Sequence, residues 1–309
     1  MSKIRKIIVT GSSGMIGTAL CERLISEKID FIGVDKVHNQ WSKAIDKKTV
    51  IVDLTKSAQL EKISSKADLC VHLAANAYVF PSVQNPQLAV DNVLSTLNTL
   101  EFCRKNKISR LIFASSREVY GNTPQMIHDE SDVSLENTES PYAASKISGE
   151  SFVVSYQKCF GIDYEIFRFS NVYGKFDTSE RFIPIVLRKS RQNEPITIFG
   201  KEKSLAFTYI DDAIEGIMGG IKNFETAKNE AYNLAFPQAV SLLEVAKKIC
   251  QKNHSECAIT VSSIRPGEVE KFEPRIVKAQ RLIGFSPRFS IDEGLEKTIA
   301  WYNHNVFLK

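Results

Sequence analysis

The sequence predicts an α/β fold, in which a doubly wound parallel sheet is followed by a smaller carboxyl-terminal α/β region. In the first half of the 309-residue chain, short strand-like runs alternate with helical patterns, which is typical of βαβ units. These runs are rich in Ile, Val and Leu at consecutive positions, as in a sheet covered by helices on both faces.

The elements follow in order along the chain. The predicted strands are Lys6–Thr10, Phe31–Asp35, Thr49–Asp53, Asp68–Leu73, Arg110–Ser115 and Tyr164–Phe169, and the helices between them are Gly14–Glu27, Pro86–Asn106 and Tyr142–Phe160. In the second half, helices are predicted at Phe182–Gln192, Asp211–Ile221, Leu242–Gln251, Val277–Ile283 and Ile291–Asn303. We expect residues 1–174, with a returning segment at about 206–236, to form the first domain. Residues 175–205 and 237–309 then form the smaller region.

Composition and charge exclude several classes of function. The net charge is only +4 and the basic residues are scattered, so we expect no nucleic-acid partner. No apolar run approaches the roughly 20 residues of a membrane helix, and the first residues lack a signal-peptide core, so we expect a cytoplasmic protein without a membrane partner. The six cysteines form no CxxC and the five histidines form no HExxH, which predicts reduced thiols and no metal site.

A glycine-rich turn, Gly11-Ser12-Ser13-Gly14-Met15-Ile16-Gly17, follows the first strand directly. Gly11 permits a tight exit from the strand, Gly14 lets the backbone approach a pyrophosphate, and Gly17 lets helix and strand pack closely. The amino terminus of the helix presents free N–H groups to the phosphates. This spacing between a strand and a helix predicts a dinucleotide-binding domain of the Rossmann type.

Two acidic residues at strand ends extend this predicted cofactor site. Asp35 ends the second strand, where a carboxylate accepts both ribose hydroxyls of the adenosine half and repels a 2′-phosphate. We therefore expect NAD rather than NADP. Asp53 and Leu54 end the third strand and could flank the adenine, although Asp53 could instead cap a helix.

A tyrosine and a lysine stand four residues apart, at Tyr142 and Lys146. Positions i and i+4 share one face of a helix, and an ammonium near a phenol lowers the pKa of the phenol. Tyr142 is therefore a candidate general base for a substrate hydroxyl. Ser116, just past the fifth strand, could hydrogen-bond the reacting oxygen and share its proton with Tyr142, or it could simply cap the strand end.

These motifs and three others occur in a fixed order. The others are His72-Leu73-Ala74-Ala75, Arg168-Phe169-Ser170-Asn171-Val172-Tyr173-Gly174 and Arg265-Pro266-Gly267-Glu268. Over essentially the whole chain, the set resembles the extended short-chain dehydrogenase/reductases, the NAD-dependent nucleotide-sugar epimerase/dehydratase family, and within it the UDP-glucose 4-epimerase-like members. The resemblance implies that the smaller carboxyl-terminal region binds substrate.

The resemblance also implies roles for individual residues. NAD would be bound by Gly11, Gly14, Met15, Ile16, Gly17, Asp35, Asp53, Leu54, Leu73, Ala74, Ala75, Asn92, Tyr142 and Lys146. The nucleotide-sugar substrate would contact Ser82, Ser116, Asn171, Arg265 and Glu268, with Asn171 and Arg265 on its diphosphate. The catalytic residues would be Ser116, Tyr142, Lys146 and Glu118.

The reaction implied first is 4-epimerisation of a nucleotide sugar, a UDP-hexose by preference, through transient oxidation at C4 to a 4-keto intermediate. A nucleotide-sugar 4,6-dehydratase or a uronate decarboxylase, each using Glu118, is the alternative. Arg117 stands where dTDP-glucose dehydratases carry an aspartate, and it stays charged and cannot donate a proton usefully. An alternative of another class is a non-catalytic NAD-binding regulator on the same fold.

Two further expectations come from the family pattern. Many members carry Gln-x-Arg-Asp-Phe where this chain has Lys203-Ser204-Leu205-Ala206-Phe207, so a phosphate-binding arginine is missing and Lys201 or Lys203 could replace it. Members commonly pair through two helices of the dinucleotide domain. The stretches 86–106 and 142–160 match those helices and carry additional apolar residues, so we expect a homodimer.

Overall fold

A wholly parallel seven-stranded sheet forms the centre of the computed structural model, which describes residues 4–64 and 66–307. The strands of the chain are β1 (Lys6–Thr10), β2 (Asp30–Asp35), β3 (Thr49–Ile51), β4 (Leu69–His72), β5 (Arg110–Ser116), β6 (Ile127–His128), β7 (Asp163–Phe169), β8 (Asn171–Tyr173), β9 (Ile196–Phe199), β10 (Ser204–Tyr209), β11 (Glu230–Leu234), β12 (Ala239–Ser241), β13 (Ile259–Ser262) and β14 (Lys271–Pro274). The central sheet has the order β11-β7-β5-β4-β1-β2-β3.

Helices cover both faces of this sheet. They are α1 (Met15–Ser26), α2 (Lys43–Asp46), α3 (Val79–Gln84), α4 (Gln87–Lys105), α5 (Pro141–Phe160), α6 (Phe182–Gln192), α7 (Ile210–Ala227), α8 (Leu242–Lys252), α9 (Val277–Ile283) and α10 (Ile291–Tyr302), followed by a π-helical turn at Asn303–Phe307. Ile7 and Val9 pack into the core on the α1 and α7 side, whereas Ile8 packs into the core beneath α4 and α5. The alternation along β1 confirms a strand that is buried on both faces.

The chain reverses its direction of strand addition between β1 and β4, which lie side by side at the middle of the sheet. In a doubly wound sheet, the crevice at the carboxyl ends of such strands is where ligands bind. The predicted α/β class with a doubly wound parallel Rossmann sheet is confirmed. β11 completes the sheet by pairing with β7, and it comes from the segment that we expected to return to the first domain.

The remaining strands form two small sheets. One has the order β12-β10-β14-β6, with β8 also paired to β10, and the other pairs β9 with β13. The sequence predicted the helices of this region well, and α6 and α9 begin and end where expected. The strands of these two sheets, and the short helices α2 and α3 of the first region, were not predicted, because most of them are short and have no alternating apolar pattern.

Candidate active site

A cavity of about 1300 Å³ follows the carboxyl ends of β1, β2, β4 and β5 and extends under the second region. Its lining includes every residue predicted to bind the cofactor, from Gly11 to Lys146. The predicted catalytic and substrate residues Ser116, Glu118, Asn171, Arg265 and Glu268 line it too. The fold therefore brings residues from distant parts of the chain to one continuous site.

The three glycines of the first turn differ in what surrounds them. Gly11 has φ +72°, and a Cβ there would lie 2.8 Å from the backbone nitrogen of Ala74. A Cβ on Gly17 would lie 2.0 Å from the Gly11 carbonyl oxygen, so helix and strand meet too closely for a side chain. At Gly14 a Cβ would have only an ordinary contact with the protein, at 3.4 Å, and this glycine lines the cavity. Its bare backbone thus leaves room for a ligand.

The amino terminus of α1 faces the same space. Gly14 is its N-cap, and no side chain of the described residues caps the helix. Unpaired N–H groups and the helix dipole favour an anion at this point. The turn therefore fits the pyrophosphate of a dinucleotide, with the backbone of Met15, Ile16 and Gly17 as donors.

Asp35 and Asp53 both line the cavity beyond this turn. The Asp35 carboxylate accepts hydrogen bonds from the backbone N–H groups of Ser13, at 2.9 Å, and Val37, at 3.2 Å, which fixes it at the end of β2. Asp53 Oδ1 accepts from the backbone and the hydroxyl of Thr55. Asp53 therefore stabilises a local turn as well as lining the site, but it does not cap a helix, because the next helical turn begins at the Lys56 cap. Its contact with the adenine stays a prediction.

Asn92, on α4, fixes the loop that follows β4. Its Oδ1 accepts from the Asn76 N–H at 2.7 Å, and its Nδ2 donates to the Asn76 carbonyl and to the Ser145 hydroxyl, both at 3.2 Å. Because Ser145 lies on α5, this side chain holds the loop and the Tyr142 helix together. Leu73, Ala74 and Ala75 line the cavity from this loop.

Tyr142 lies in the first turn of α5, which begins at the Ser140 cap and has Pro141 at its first position. Its phenol is buried, and the Ser116 hydroxyl at the carboxyl end of β5 lies close enough to it to lower its pKa. Ser116 Oγ also accepts from the Glu118 N–H at 3.2 Å, so it caps a short 3₁₀ turn and faces the tyrosine as well. Lys146 Nζ lies 5.8 Å from the centre of the Tyr142 ring and donates to the Ala114 carbonyl at 2.8 Å.

The pKa of Tyr142 is shifted in the direction opposite to our expectation. Burial raises the pKa of the phenol, while the hydrogen bond with Ser116 and the positive charge of Arg181 lower it to a smaller extent. Burial also lowers the pKa of Lys146 to about 8. The expected net lowering of the Tyr142 pKa is therefore wrong for the protein by itself, because desolvation of the phenol outweighs the favourable charges around it.

An ion pair occupies the wall next to Ser116. Arg117 Nη2 lies 2.7 Å from Glu118 Oε1, and Arg117 Nε donates to Asn171 Oδ1 at 2.9 Å. Arg117 Nη1 and Glu118 Oε2 are buried and have no hydrogen-bond partner among the described residues. Burial raises the pKa of Glu118, and the charge of Arg117 opposes this.

A second buried cluster of charges lies further along the cavity. Glu268 Oε2 lies 2.7 Å from Lys203 Nζ, and Glu268 Oε1 accepts from the Arg265 guanidinium. Arg265 is stacked between the rings of Phe80 and Phe199, 4.8 Å from each ring centre. Burial disfavours ionisation of Glu268, but Lys203 and Arg265 outweigh it and hold the pKa of the carboxyl below its ordinary value.

Ser82 is the one predicted site residue that does not line the cavity. Its hydroxyl donates to the Val79 carbonyl at 2.7 Å and accepts from the Tyr142 N–H at 3.1 Å. The first hydrogen bond lies within α3 and the second fixes α3 to the start of α5, whereas the predicted contact with a sugar stays a prediction. Ser82 thus holds the Tyr142 backbone in place.

Several cavity residues were not predicted from the sequence. Phe80, Arg181 and Phe199 belong to this group, and they come from three separate elements of the chain. Arg181 lies over the Tyr78 ring at 5.6 Å. Each of them is an isolated aromatic or basic residue in the sequence. Such residues are common on any protein surface, so the sequence contains no signal that they line the site.

Known proteins share this architecture. Residues 7–235 match the model of the NAD dependent epimerase/dehydratase family. This chain belongs to that family. Its cofactor is NAD, and its members are NAD-dependent enzymes that act on nucleotide sugars.

The relatives differ in what they are named for. A putative UDP-glucose 4-epimerase of Methanocaldococcus jannaschii is 32% identical, over 97% of this chain and 99% of the relative. A UDP-glucuronate 4-epimerase of Thermodesulfobacterium geofontis is 29% identical, over 97% of each chain. The structure of the Thermotoga maritima UDP-glucose 4-epimerase with UDP-glucose superposes with a TM-score of 0.89 at 25% identity, over 98% of this chain and 100% of that one.

The described residues contain neither a membrane-spanning helix nor a group of side chains suited to a metal ion. No helix among residues 4–64 and 66–307 is long and apolar enough to cross a membrane. Within the same residues, no three His, Cys, Asp or Glu side chains are grouped so that they could hold a metal ion.

Proposed function

We propose that this enzyme is a nucleotide-sugar 4-epimerase, and that UDP-hexoses are its substrates. The observation that carries the proposal is that Ser116 and Tyr142 line the same cavity, with the Ser116 hydroxyl close enough to the phenol to lower its pKa. The glycine turn and the Lys203, Arg265 and Glu268 cluster line this cavity too. A dinucleotide and a nucleotide sugar could therefore meet at these two hydroxyls.

The chain's own residues supply proton transfer and positioning. Bound NAD supplies the hydride acceptor and donor for C4 of the sugar. The Tyr142 oxygen takes the proton of the 4-hydroxyl and later returns it, and Ser116 hydrogen-bonds the same sugar oxygen. Lys146 and the positive charge of the bound nicotinamide oppose the desolvation that raises the Tyr142 pKa. Epimerisation needs no other acid or base, because the same phenol works in both half-reactions.

The Arg117–Glu118 ion pair favours epimerisation over dehydration. A 4,6-dehydratase needs a base for the C5 proton and an acid for the leaving 6-hydroxyl, which are two tasks beyond those of the tyrosine. Glu118 has one oxygen bound to Arg117, and Arg117 stays protonated and cannot serve as the acid. The raised Glu118 pKa is the specific feature that supports a dehydratase or decarboxylase as the second candidate.

The Lys203, Arg265 and Glu268 cluster suits the diphosphate of the substrate. Two cations share one carboxylate, so the cluster carries excess positive charge where both Lys203 and Glu268 are buried. A buried charge is costly without a partner, and a diphosphate would supply one. Lys203 lines the cavity, whereas Lys201 is exposed and does not, so we infer that Lys203 replaces the missing arginine.

Product analysis distinguishes the candidate reactions. We expect the purified enzyme to convert UDP-glucose into UDP-galactose, and to reach the same equilibrium mixture from either sugar. Proton NMR measures the two sugars during the reaction. A 4-keto-6-deoxy product would establish the dehydratase instead, and a pentose product from UDP-glucuronate would establish the decarboxylase. No product from any of these substrates would contradict a catalytic role in nucleotide-sugar chemistry.

Replacement of the base tests the assignment of Tyr142. Tyr142→Phe should lower kcat by about 10²- to 10⁴-fold, because it removes the oxygen that takes the proton. The amount of NAD that copurifies should stay near the wild-type value. Turnover within a fewfold of wild type would exclude Tyr142 as the base.

A homodimer is proposed through the outer face of α4 and α5, which pack side by side. Val90 and Leu94 on α4 and Phe160 on α5 are large apolar side chains that remain exposed, with 48%, 39% and 52% of their surface accessible. Light scattering should give twice the mass of the 34.7 kDa chain. The double variant Val90→Asp/Leu94→Asp should give a monomer, and a monomeric wild-type protein would contradict the proposal.

A further inference from the structure

Glu150 is a buried carboxylate that the reaction scheme does not use. It lies on α5 one helical turn after Lys146 and reaches the end of β5. Glu150 Oε1 accepts from the Ser115 hydroxyl at 2.5 Å and from Arg168 Nε at 3.0 Å, and Oε2 accepts from Arg168 Nη2 at 2.7 Å. Both carboxylate oxygens are thus fixed from two strands of the sheet.

The groups around Lys146 show why this carboxylate matters. Lys146 is buried, and its Nζ is bound to the carbonyl of Ala114, the residue before Ser115. Tyr142 faces it from the same helix. His72, on β4, is kept neutral because burial lowers its pKa to about 3. Glu150 stands four residues after Lys146 on the same helix, so its negative charge lies on the same face as the ammonium. Lys146 and Glu150 hydrogen-bond adjacent residues of β5, Ala114 and Ser115.

We propose that Glu150 is a positioning residue that places a fixed negative charge next to Lys146 and holds the end of β5, where Ser116 follows Ser115, against the Tyr142 helix. The proposal rests on the proposed function for its effect on turnover. Its structural part does not, since it concerns the state of Lys146 itself. Glu150 acts through Lys146 and Ser115 and lies outside the cavity lining.

The electrostatic consequence has a definite sign. Burial lowers the pKa of Lys146 to about 8, and the charge of Glu150 opposes this shift. Without that charge, Lys146 loses its proton at a lower pH, and the ammonium disappears near neutrality. Because an uncharged amine cannot oppose the raised pKa of Tyr142, the alkaline limb of the activity profile should move to lower pH.

The test is a direct titration of Lys146 in the NAD-loaded protein. Lysine Nζ or Cε resonances are followed by heteronuclear NMR against pH, and Lys146→Arg identifies the signal. In Glu150→Gln the midpoint should fall by about 1 pH unit. The kcat–pH profile should shift in the same direction. Glu165→Gln is the matched control, since Glu165 is also buried in the sheet but is not among the groups that shift the Lys146 pKa.

Further variants separate charge from folding and from hydrogen bonding. Ser115→Ala removes one partner of Glu150 but no charge, and should leave the midpoint in place. If Glu150→Gln fails to fold, Glu150→Asp keeps the charge but moves it away from β5, and a smaller fall in the midpoint is expected. An unchanged midpoint in the folded Glu150 variant, or an equal fall in Glu165→Gln, overturns the proposal. If the wild-type protein converts no nucleotide sugar, the proposed function fails, while the titration still decides the role of Glu150.

Discussion

The two ends of the cavity are built in different ways. At the end with the glycine turn, the backbone forms most of the site, because the turn leaves space for a ligand and the amino terminus of α1 provides N–H groups. At the end where we propose that the nucleotide sugar binds, charged side chains form the site, namely the Lys203, Arg265 and Glu268 cluster and the ion pair of Arg117 and Glu118. The first end is specified by one short local motif, and the second by contacts between elements far apart in the sequence.

This difference teaches which part of a binding site tolerates substitutions without loss of folding or binding. A backbone cradle tolerates almost no substitution, because a side chain would collide with the main chain or with the ligand. A network of charged side chains can be rearranged, provided that each buried charge keeps a partner. Leu205 stands where many family members carry the phosphate-binding arginine, and Lys203, two residues earlier, could supply the cation instead. This exchange fits such a rearrangement.

The strongest test of the backbone end compares two of its glycines. Gly17→Ala should cost about 3 kcal/mol or more and give little folded protein, since its Cβ would meet the Gly11 carbonyl oxygen. Gly14→Ala should fold normally, because its Cβ meets nothing in the protein closer than 3.4 Å, yet it should bind NAD at least about tenfold more weakly. Thermal unfolding and calorimetric titration of NAD measure the two effects. Wild-type NAD affinity in Gly14→Ala would contradict the cradle.

Sequence reasoning succeeded where the structure is local. The glycine turn, Asp35 and the Tyr142 and Lys146 pair each follow from spacing along one or two elements, and all lie in the cavity as expected. What it missed concerns tertiary surroundings. The direction of the Tyr142 pKa shift depends on burial, and the hydrogen bonds of Ser82 depend on where α3 meets α5.

The same reason explains what was missed in the fold. Most parallel strands of the central sheet contain a run of apolar residues and were found from the sequence, whereas β11 was assigned only to a returning segment. The short strands of the second region, such as β12 and β14, have three or four residues and owe their pairing to neighbours. Arg168 could be recognised in its motif, but its bidentate contact with Glu150 could not.

The importance of a partner for a buried carboxyl group can be tested at Glu165, which has none among the described residues. Glu165, on β7, is fully buried, and neither carboxylate oxygen has a hydrogen-bond partner among the described residues. Burial raises its pKa from 4.5 to about 8. The folded protein therefore keeps a proton that the unfolded chain loses above about pH 4.5, and stability falls as the pH rises towards 8.

Glu165→Met should remove this loss. Its free energy of unfolding should exceed that of wild type by about 2–3 kcal/mol at pH 8 and by much less at pH 5, because an apolar side chain of similar length has no charge to desolvate. Denaturant unfolding at the two pH values measures the difference. An equal change at both would show that packing rather than ionisation is responsible. Glu268, whose carboxylate is paired by two cations, should show no such gain on replacement.

The smallest expected effect tests the side-chain end itself. Lys203→Met should weaken UDP binding by about tenfold, the value of one charge-assisted hydrogen bond, and should leave NAD binding unchanged. Lys201→Met is the matched control, because that lysine is exposed and lies outside the cavity lining. Leu205 lines the cavity from the same region of β10, so Lys203→Met/Leu205→Arg should regain affinity by supplying the cation from a neighbouring position. Calorimetric titration with UDP decides the outcome, and equal affinities in the two single variants would show that the nucleotide-sugar end does not depend on Lys203.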